Sequence, residues 1–231
     1  MRALLDLIFP PRCAGCDLPG TLLCERCSAA VARIDAAGAC PRCGAPGRDG
    51  RCAECAGRAF AFFEARSASL LEPPVSRAVV VLKDGGERRY AGVLATLLAE
   101  ATDGWLTAAD VLVPVPASPA ALRRRDFDHA RDLTRALGQL TGNRVADALR
   151  SRASADQRAL GREERLANRA SAFVAVGEVD GERIVLVDDV FTTGATLDAA
   201  ARAVSSGTTS AVRALSVARA CSHRTSADPC A

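Results

Sequence analysis

Aromatic side chains are scarce in this chain: one Trp, one Tyr and seven Phe make up 4% of it. So few rings leave little to stack bases on, which tells against tight binding of single-stranded nucleic acid by stacking. A strong net charge is missing too. The formal balance is +3, so any grip on a polyanion would rest on local basic patches. Lysine is nearly absent, because Lys83 is the one lysine among 30 Lys and Arg residues. A compact ammonium among arginines fits either a position that needs a point charge rather than a planar fork or chance survival in an arginine-biased chain. No apolar run approaches the length of a membrane span. Leu4 to Phe9 is short, is interrupted by Asp6 and lacks a small-residue cleavage site. The chain therefore reads as soluble and cytoplasmic, without membrane insertion. Its 49% hydrophobic content is enough to fill a proper core.

Cysteine is plentiful and patterned. Eight of ten form four Cys-x-x-Cys pairs: Cys13/Cys16, Cys24/Cys27, Cys40/Cys43 and Cys52/Cys55. Tetrahedral zinc needs four soft ligands, and each pair supplies two from one tight knuckle. The surrounding segment has few large apolar residues, so metal would supply its folding energy. Disulfides of a secreted domain fit poorly with the two-residue spacing and the lack of a signal segment. Two structural zinc ions are expected. The short intervals favour sequential sets, Cys13, Cys16, Cys24 and Cys27, then Cys40, Cys43, Cys52 and Cys55, with Gly15 and Gly44 in the turns; a cross-braced arrangement stays open. Arg12, Arg26, Arg33, Arg42, Arg48 and Arg51 make the segment basic, which suits either a nucleic-acid backbone or a solvated surface. Cys221 and Cys230 stand apart and read as free thiols. The organisation expected is a zinc-ribbon module over 1–58 and an α/β domain over 59–231.

Within the larger part, Ile184 to Val187 read as a strand buried on both faces of a parallel sheet. Asp188 and Asp189 end it, Thr192-Thr193-Gly194-Ala195-Thr196 follow, and Leu197 to Val204 have helical spacing. Ligands of open α/β sheets collect at the carboxyl ends of strands. A Thr/Gly loop entering a helix offers N–H groups, hydroxyls and a positive dipole end to phosphate. Carboxylates before it accept hydrogen bonds from vicinal hydroxyls. Together these features describe a sugar-phosphate site. Elsewhere, Arg66 to Leu71 reads as a strand, Val75 to Leu82 as helix or strand, Arg88 to Ala101 as a helix, and Asp110 to Pro116 as a buried strand beside the one ending at Asp188. The segment from Arg123 to His129 leads into a helix through Leu140, with His129 expected on the surface. Arg150 to Arg169 is polar and arginine-rich, either a mobile cover over the site or an exposed helix.

The Asp188-to-Thr196 stretch resembles the ribose-phosphate motif of the type I phosphoribosyltransferases. The resemblance implies that fold, a central parallel sheet flanked by helices, and a site for phosphoribosyl pyrophosphate (PRPP) held with Mg2+. Asp188 and Asp189 would take the 2′- and 3′-hydroxyls and serve as the catalytic pair. Thr192, Thr193, Gly194, Ala195 and Thr196 would wrap the 5′-phosphate. Purine-using members carry a carboxylate within this loop, where Thr192 stands here, which disfavours a purine. Lys83, Arg124, Arg125 and Arg152 are the candidates for the pyrophosphate.

The order of motifs is similar to that of the ComF family, phosphoribosyltransferase-like proteins associated with natural DNA uptake: Phe9-Pro10-Pro11-Arg12-Cys13, the zinc knuckles, Leu82-Lys83-x-Gly85, Val113-Pro114-Val115-Pro116, Gln157-x-x-Leu160, Arg165-x-x-Asn168, Phe173 and Asp188-Asp189-Val190-x-Thr192-Thr193-Gly194. Members often read Arg-Gly-Phe-Asn-Gln where this chain has Arg125-Asp126-Phe127-Asp128-His129, and the extra acids are expected to weaken pyrophosphate binding. The resemblance implies phosphoribosyl transfer to an undefined acceptor, with protein partners of DNA uptake. The competing expectation is a non-catalytic single-stranded DNA-binding protein that uses the zinc module and its Arg-rich surface.

Overall fold

The computed structural model of the chain describes residues 10–47, 52–152, 172–176, 183–205 and 211–221. The cysteine-rich segment carries one short helix, α1 (Glu25–Ala29), and a 3-10 turn at Ala53–Cys55. Strand β1 (Glu64–Leu70) follows. Val75, Ala78, Val79 and Leu82 are buried at spacing i, i+3, i+4, i+7, so the stretch whose sequence suits helix or strand is a helix, α2 (Val75–Lys83). Helix α3 (Tyr90–Ala101) buries Leu94, Leu97 and Leu98 by the same rule.

Strand β2 (Asp110–Pro114) is buried at every position. Ser118 caps the next helix by accepting from the Ala121 N–H at 3.2 Å, and Pro119 occupies its first turn, which starts α4 (Pro119–Arg125). Asp128 caps α5 (His129–Thr141) by accepting from the N–H groups of Ala130 and Arg131. Short strands β3 (Arg144–Val145), β4 (Leu149–Ser151) and β5 (Phe173–Ala175) come next. The run Ile184–Val187, fully buried, lies inside a longer strand, β6 (Arg183–Phe191), which continues past the two aspartates. Helix α6 (Ala195–Ser205) and strand β7 (Val212–Arg219) complete the described elements. Strand β7 is not among the expectations from sequence, although all eight of its positions are buried.

The sheet runs β1-β7-β6-β2-β3 with every pair parallel, as expected of a type I phosphoribosyltransferase fold, and β4 pairs with β5 as a separate antiparallel hairpin. From β2 the chain winds towards β3, whereas from β6 it winds the other way to β7. The gap between the carboxyl ends of β2 and β6 is therefore the topological switch point, where such sheets bind ligands. Leu112, Val185, Val187 and Leu215 pack on α2, α3 and α5; Val111, Val113, Ile184 and Leu186 pack on the face that carries α6.

The cysteine-rich segment does not stand apart. The Ile34 N–H donates to Ala68 O (3.0 Å), Leu70 N–H to Ala32 O (2.8 Å) and Ala65 N–H to Pro41 O (2.8 Å), which docks it along β1. Cys43, Ala45 and Cys55 join the core that holds Phe62, Ile184 and Phe191. The segment thus offsets its shortage of apolar residues by sharing the core of the sheet.

Candidate functional site

The last ladder bond before the switch point runs from Val115 N–H to Val187 O (3.0 Å). Beyond it the strands part, and Asp188 and Asp189 stand at the opening. Successive strand residues face opposite sides. Asp189, in phase with Val185 and Val187, turns towards α2 and α5, and its Oδ2 lies 2.5 Å from Lys83 Nζ and 3.6 Å from His129 Nε2. Asp188, in phase with Ile184 and Leu186, turns towards α6, and its Oδ1 accepts the Asp189 N–H at 2.9 Å. Both acids are buried, and with His129 they present ligand atoms within 4.8 Å of one another.

Burial, and then the charge of Asp189, raise the Asp188 carboxyl well above its ordinary value, with Lys83 offsetting only part. Burial lowers His129, and the pull of Asp189 does not overcome it. Neutral His129 leaves Lys83 facing two carboxylates. The opening therefore suits a ligand that arrives with a cation or brings hydroxyl donors.

The following loop turns at Gly194, whose φ is +80°. A Cβ there would stand 2.6 Å from Phe191 Cζ and 2.9 Å from Phe60 Cε1, so only glycine fits. Thr193 Oγ1 accepts the Ala195 N–H at 3.4 Å, and the Asp198 N–H donates to Gly194 O (2.8 Å) as α6 begins.

A cavity of about 710 Å³ opens here. Asp188, Asp189, Thr192, Thr193, Ala195 and Thr196 line one side, and Lys83, Arg125, His129 and Arg152 line the other. Most of the residues singled out in the sequence thus meet in one place. Arg124 does not join them: its side chain is 65% exposed and points to Asp84 at 3.7 Å. Arg125 reaches the cavity and also holds Asp84 at 2.9 Å. Lys83 is neutralised by Asp189 rather than free for an anion. His129, expected on the surface, is buried at 5% exposure because it opens the amphipathic helix α5 on its inner face.

The extra acids, Asp126 and Asp128, do not line this cavity. Asp126 ends α4 with φ +61°, a left-handed position, and Asp128 is spent capping α5 and accepting the Ala117 N–H at 3.2 Å. Both face a neighbouring cleft of about 770 Å³ that contains no residue of the Asp188-to-Thr196 motif. Of the arginine-rich segment, only Arg150 and Arg152 are described, on and just after β4; Gln157, Arg158, Arg162, Arg165 and Arg169 lie outside the described residues.

The cysteines form two groups, and the sets are sequential: Cys13, Cys16, Cys24 and Cys27, and Cys40, Cys43, Cys52 and Cys55. A zinc tetrahedron with Zn–S of about 2.3 Å has an S–S edge of about 3.8 Å. The sulfurs of Cys13 and Cys24 are 3.7 Å apart, those of Cys16 and Cys24 3.8 Å, those of Cys40 and Cys55 3.7 Å, and those of Cys43 and Cys52 3.5 Å. That spacing fits two structural zinc ions. Burial works against ionising Cys13, yet backbone amides of its knuckle outweigh it and hold the thiol down to about 6. One antiparallel bridge closes each hairpin, Arg12 to Pro19 and Ala39 to Pro46. Gly15 is required where it stands, since a Cβ would meet Cys27 Sγ at 2.5 Å. Cys221 is disulfide-bonded, contrary to the free thiol expected, and Cys230 lies outside the described residues. Among the described residues no helix is long and apolar enough to cross a membrane.

A parallel sheet with an acid pair and a Thr/Gly loop at its switch point, docked to two four-cysteine clusters, defines a phosphoribosyltransferase-fold protein with a double zinc ribbon. Comparison with known proteins agrees: the double zinc ribbon domain matches residues 4–59 and the phosphoribosyl transferase domain matches residues 128–228. The DNA utilization protein YhgH of Escherichia coli K12 is 31% identical over 205 residues, covering 83% of this chain and 89% of that protein. Proteins of the same name from Shigella flexneri and Salmonella typhimurium match to the same extent. The chain belongs to this family, the ComF-like proteins.

Proposed function

We propose that the chain binds PRPP in the cavity between β2 and β6 and transfers its phosphoribosyl group to an acceptor, in the service of DNA uptake or use. The observation that carries this reading is the convergence, in one cavity, of the acid pair, the threonine loop and three cationic side chains. Thr192, Thr193, Gly194, Ala195 and Thr196 hold the 5′-phosphate at the start of α6. Asp188 accepts from the ribose hydroxyls, and Asp189, fixed by Lys83, does so from the other side. Arg125 and Arg152 stabilise the charge that grows on pyrophosphate as its bond to C1′ breaks. Lys83 serves mainly to hold Asp189 in position. Among the described residues Asp188 has no side-chain cation of its own, so Asp188 and Asp189 fit a ligand carrying Mg2+, which would supply the missing positive charge.

Calorimetric titration of PRPP with Mg2+ into wild type and Asp188→Ala tests the binding. Micromolar-range affinity that is lost in the variant is expected. Equal affinity for both would remove the carboxylates from the site. Pyrophosphate release with candidate acceptors then tests transfer, and absence of turnover under conditions that retain binding would leave a sensor rather than an enzyme.

A second reading, single-stranded DNA binding through the zinc ribbon, draws on the name of the relatives. The geometry favours it less, because Arg12 is held by Asp17 (2.8 Å) and Arg33 by Glu100 (3.1 Å). It requires DNA affinity that falls steeply with salt and ignores Asp188→Ala.

A further inference from the structure

Arg219, the last residue of β7, is among the described residues the largest side chain that is almost wholly buried, at 1% exposure. It lies outside the cavity wall, and the reaction gives it no part. Its guanidinium reaches in two directions. Nη1 donates to Phe191 O (3.2 Å) and Thr192 O (2.7 Å), and also to the Ala220 carbonyl. Nε donates to Cys43 O at 3.1 Å, and Nη2 stands 3.6 Å from Glu54 Oε2, between Cys52 and Cys55 in the chain. The Phe191 ring lies beneath the same guanidinium, 4.6 Å from its carbon. One buried cation therefore ties the second cysteine cluster to the phosphate loop.

Arg58, three residues after Cys55, extends the tie by donating to Thr193 O at 2.8 Å. The carbonyls of Phe191, Thr192 and Thr193 are thus all drawn towards arginines. In a planar trans peptide the C=O and the following N–H point in opposite directions. The N–H groups of Thr192, Thr193 and Gly194 are consequently turned away from the arginine side, which is the arrangement of an anion nest. The first cluster has no such link among the described residues. Its contacts run to the opposite face of the sheet, from Arg77 to Asp17 (2.7 Å) and from Tyr90 Oη to Arg12 O (2.5 Å).

We infer that Arg219 is a positioning residue for the phosphate loop, and that the second four-cysteine cluster, once closed on its metal, is part of the anion site. The ligand named here rests on the ribose-phosphate reading; the linkage itself does not. Opening the second cluster would move Cys43 and Glu54, leave a buried guanidinium short of acceptors and release the loop carbonyls.

The test uses the full chain and two readouts, calorimetric affinity for ribose 5-phosphate and hydrogen exchange at the amides of residues 192–196. Arg219→Lys, which keeps the charge but loses the fork, is expected to retain two zincs, bind about ten- to a hundredfold more weakly and exchange faster in the loop. Cys52→Ser should do the same with one zinc lost. Cys24→Ser should also lose one zinc yet leave both readouts at wild-type values. The inference is overturned if Arg219→Lys matches wild type in both, or if Cys24→Ser loosens the loop as much as Cys52→Ser. Should Arg219→Lys fail to fold, Arg58→Ala, at an exposed residue, carries the same prediction for loop exchange with a smaller effect. If wild type itself does not bind ribose 5-phosphate, the proposed function fails, and loop exchange alone decides the role of Arg219.

Discussion

Replacing Asp188 by asparagine should make the free protein more stable while removing its ligand. Lys83 lies against Asp189, and burial keeps His129 neutral, so one cation serves two buried carboxylates. Asp188 is the surplus charge: its carboxyl is raised first by burial and then by Asp189. Asparagine keeps the oxygen that accepts the Asp189 N–H at 2.9 Å, so the strand end loses charge without losing that bond. Removing an uncompensated buried charge is worth about 1–3 kcal/mol. For a domain of this size that corresponds to a rise in Tm of roughly 3–10 °C. The sign with pH follows from linkage. The folded state holds its proton above the ordinary value of 3.8, so wild type loses stability as pH climbs from there through the raised value. The advantage of Asp188→Asn should therefore be larger at pH 8 than at pH 5.5 in thermal melts followed by circular dichroism. A variant less stable than wild type at pH 8, or an advantage that does not change with pH, would refute the account of a surplus charge.

Three further outcomes are expected. Lys83→Met strips the cation from Asp189, whose side chain is 3% exposed, and should cost about 2–4 kcal/mol in urea unfolding, with much of it regained in the Lys83→Met, Asp189→Asn double variant. Gly194→Ala forces a Cβ into Phe191 and Phe60 at φ +80°, and should cost about 2–3 kcal/mol together with loss of ribose 5-phosphate binding by calorimetry. Metal analysis should find two zinc ions per chain; because Cys43 and Cys55 sit in the sheet core, chelation should lower the melting of the whole protein in one transition, not that of a separate module.

The features legible in the sequence are those written in contiguous residues. Ile184–Val187 announce a buried strand because four apolar residues in a row have no other place in a parallel sheet. The four Cys-x-x-Cys pairs announce metal-type knuckles because each is made locally, and Thr192–Thr196 announce a turn into a helix for the same reason. The choice of helix for Val75–Lys83 needed the fold, since a short apolar stretch satisfies either period until something packs on one side of it. His129 reads as a surface residue in the sequence because its polarity hides that it begins the inner face of α5.

Local pattern alone determined the four metal-type knuckles and the buried strand that carries the acid pair, whereas which knuckles group together came from the fold. Tertiary structure alone decided which charges meet. It spent Lys83 on Asp189, turned Arg124 outwards, used Asp128 as a cap, and carried Arg219 to Cys43 across 176 residues of chain. The reason is one of distance. Backbone geometry and metal knuckles are settled between near neighbours, whereas a buried charge takes its partner from whatever the sheet order brings beside it.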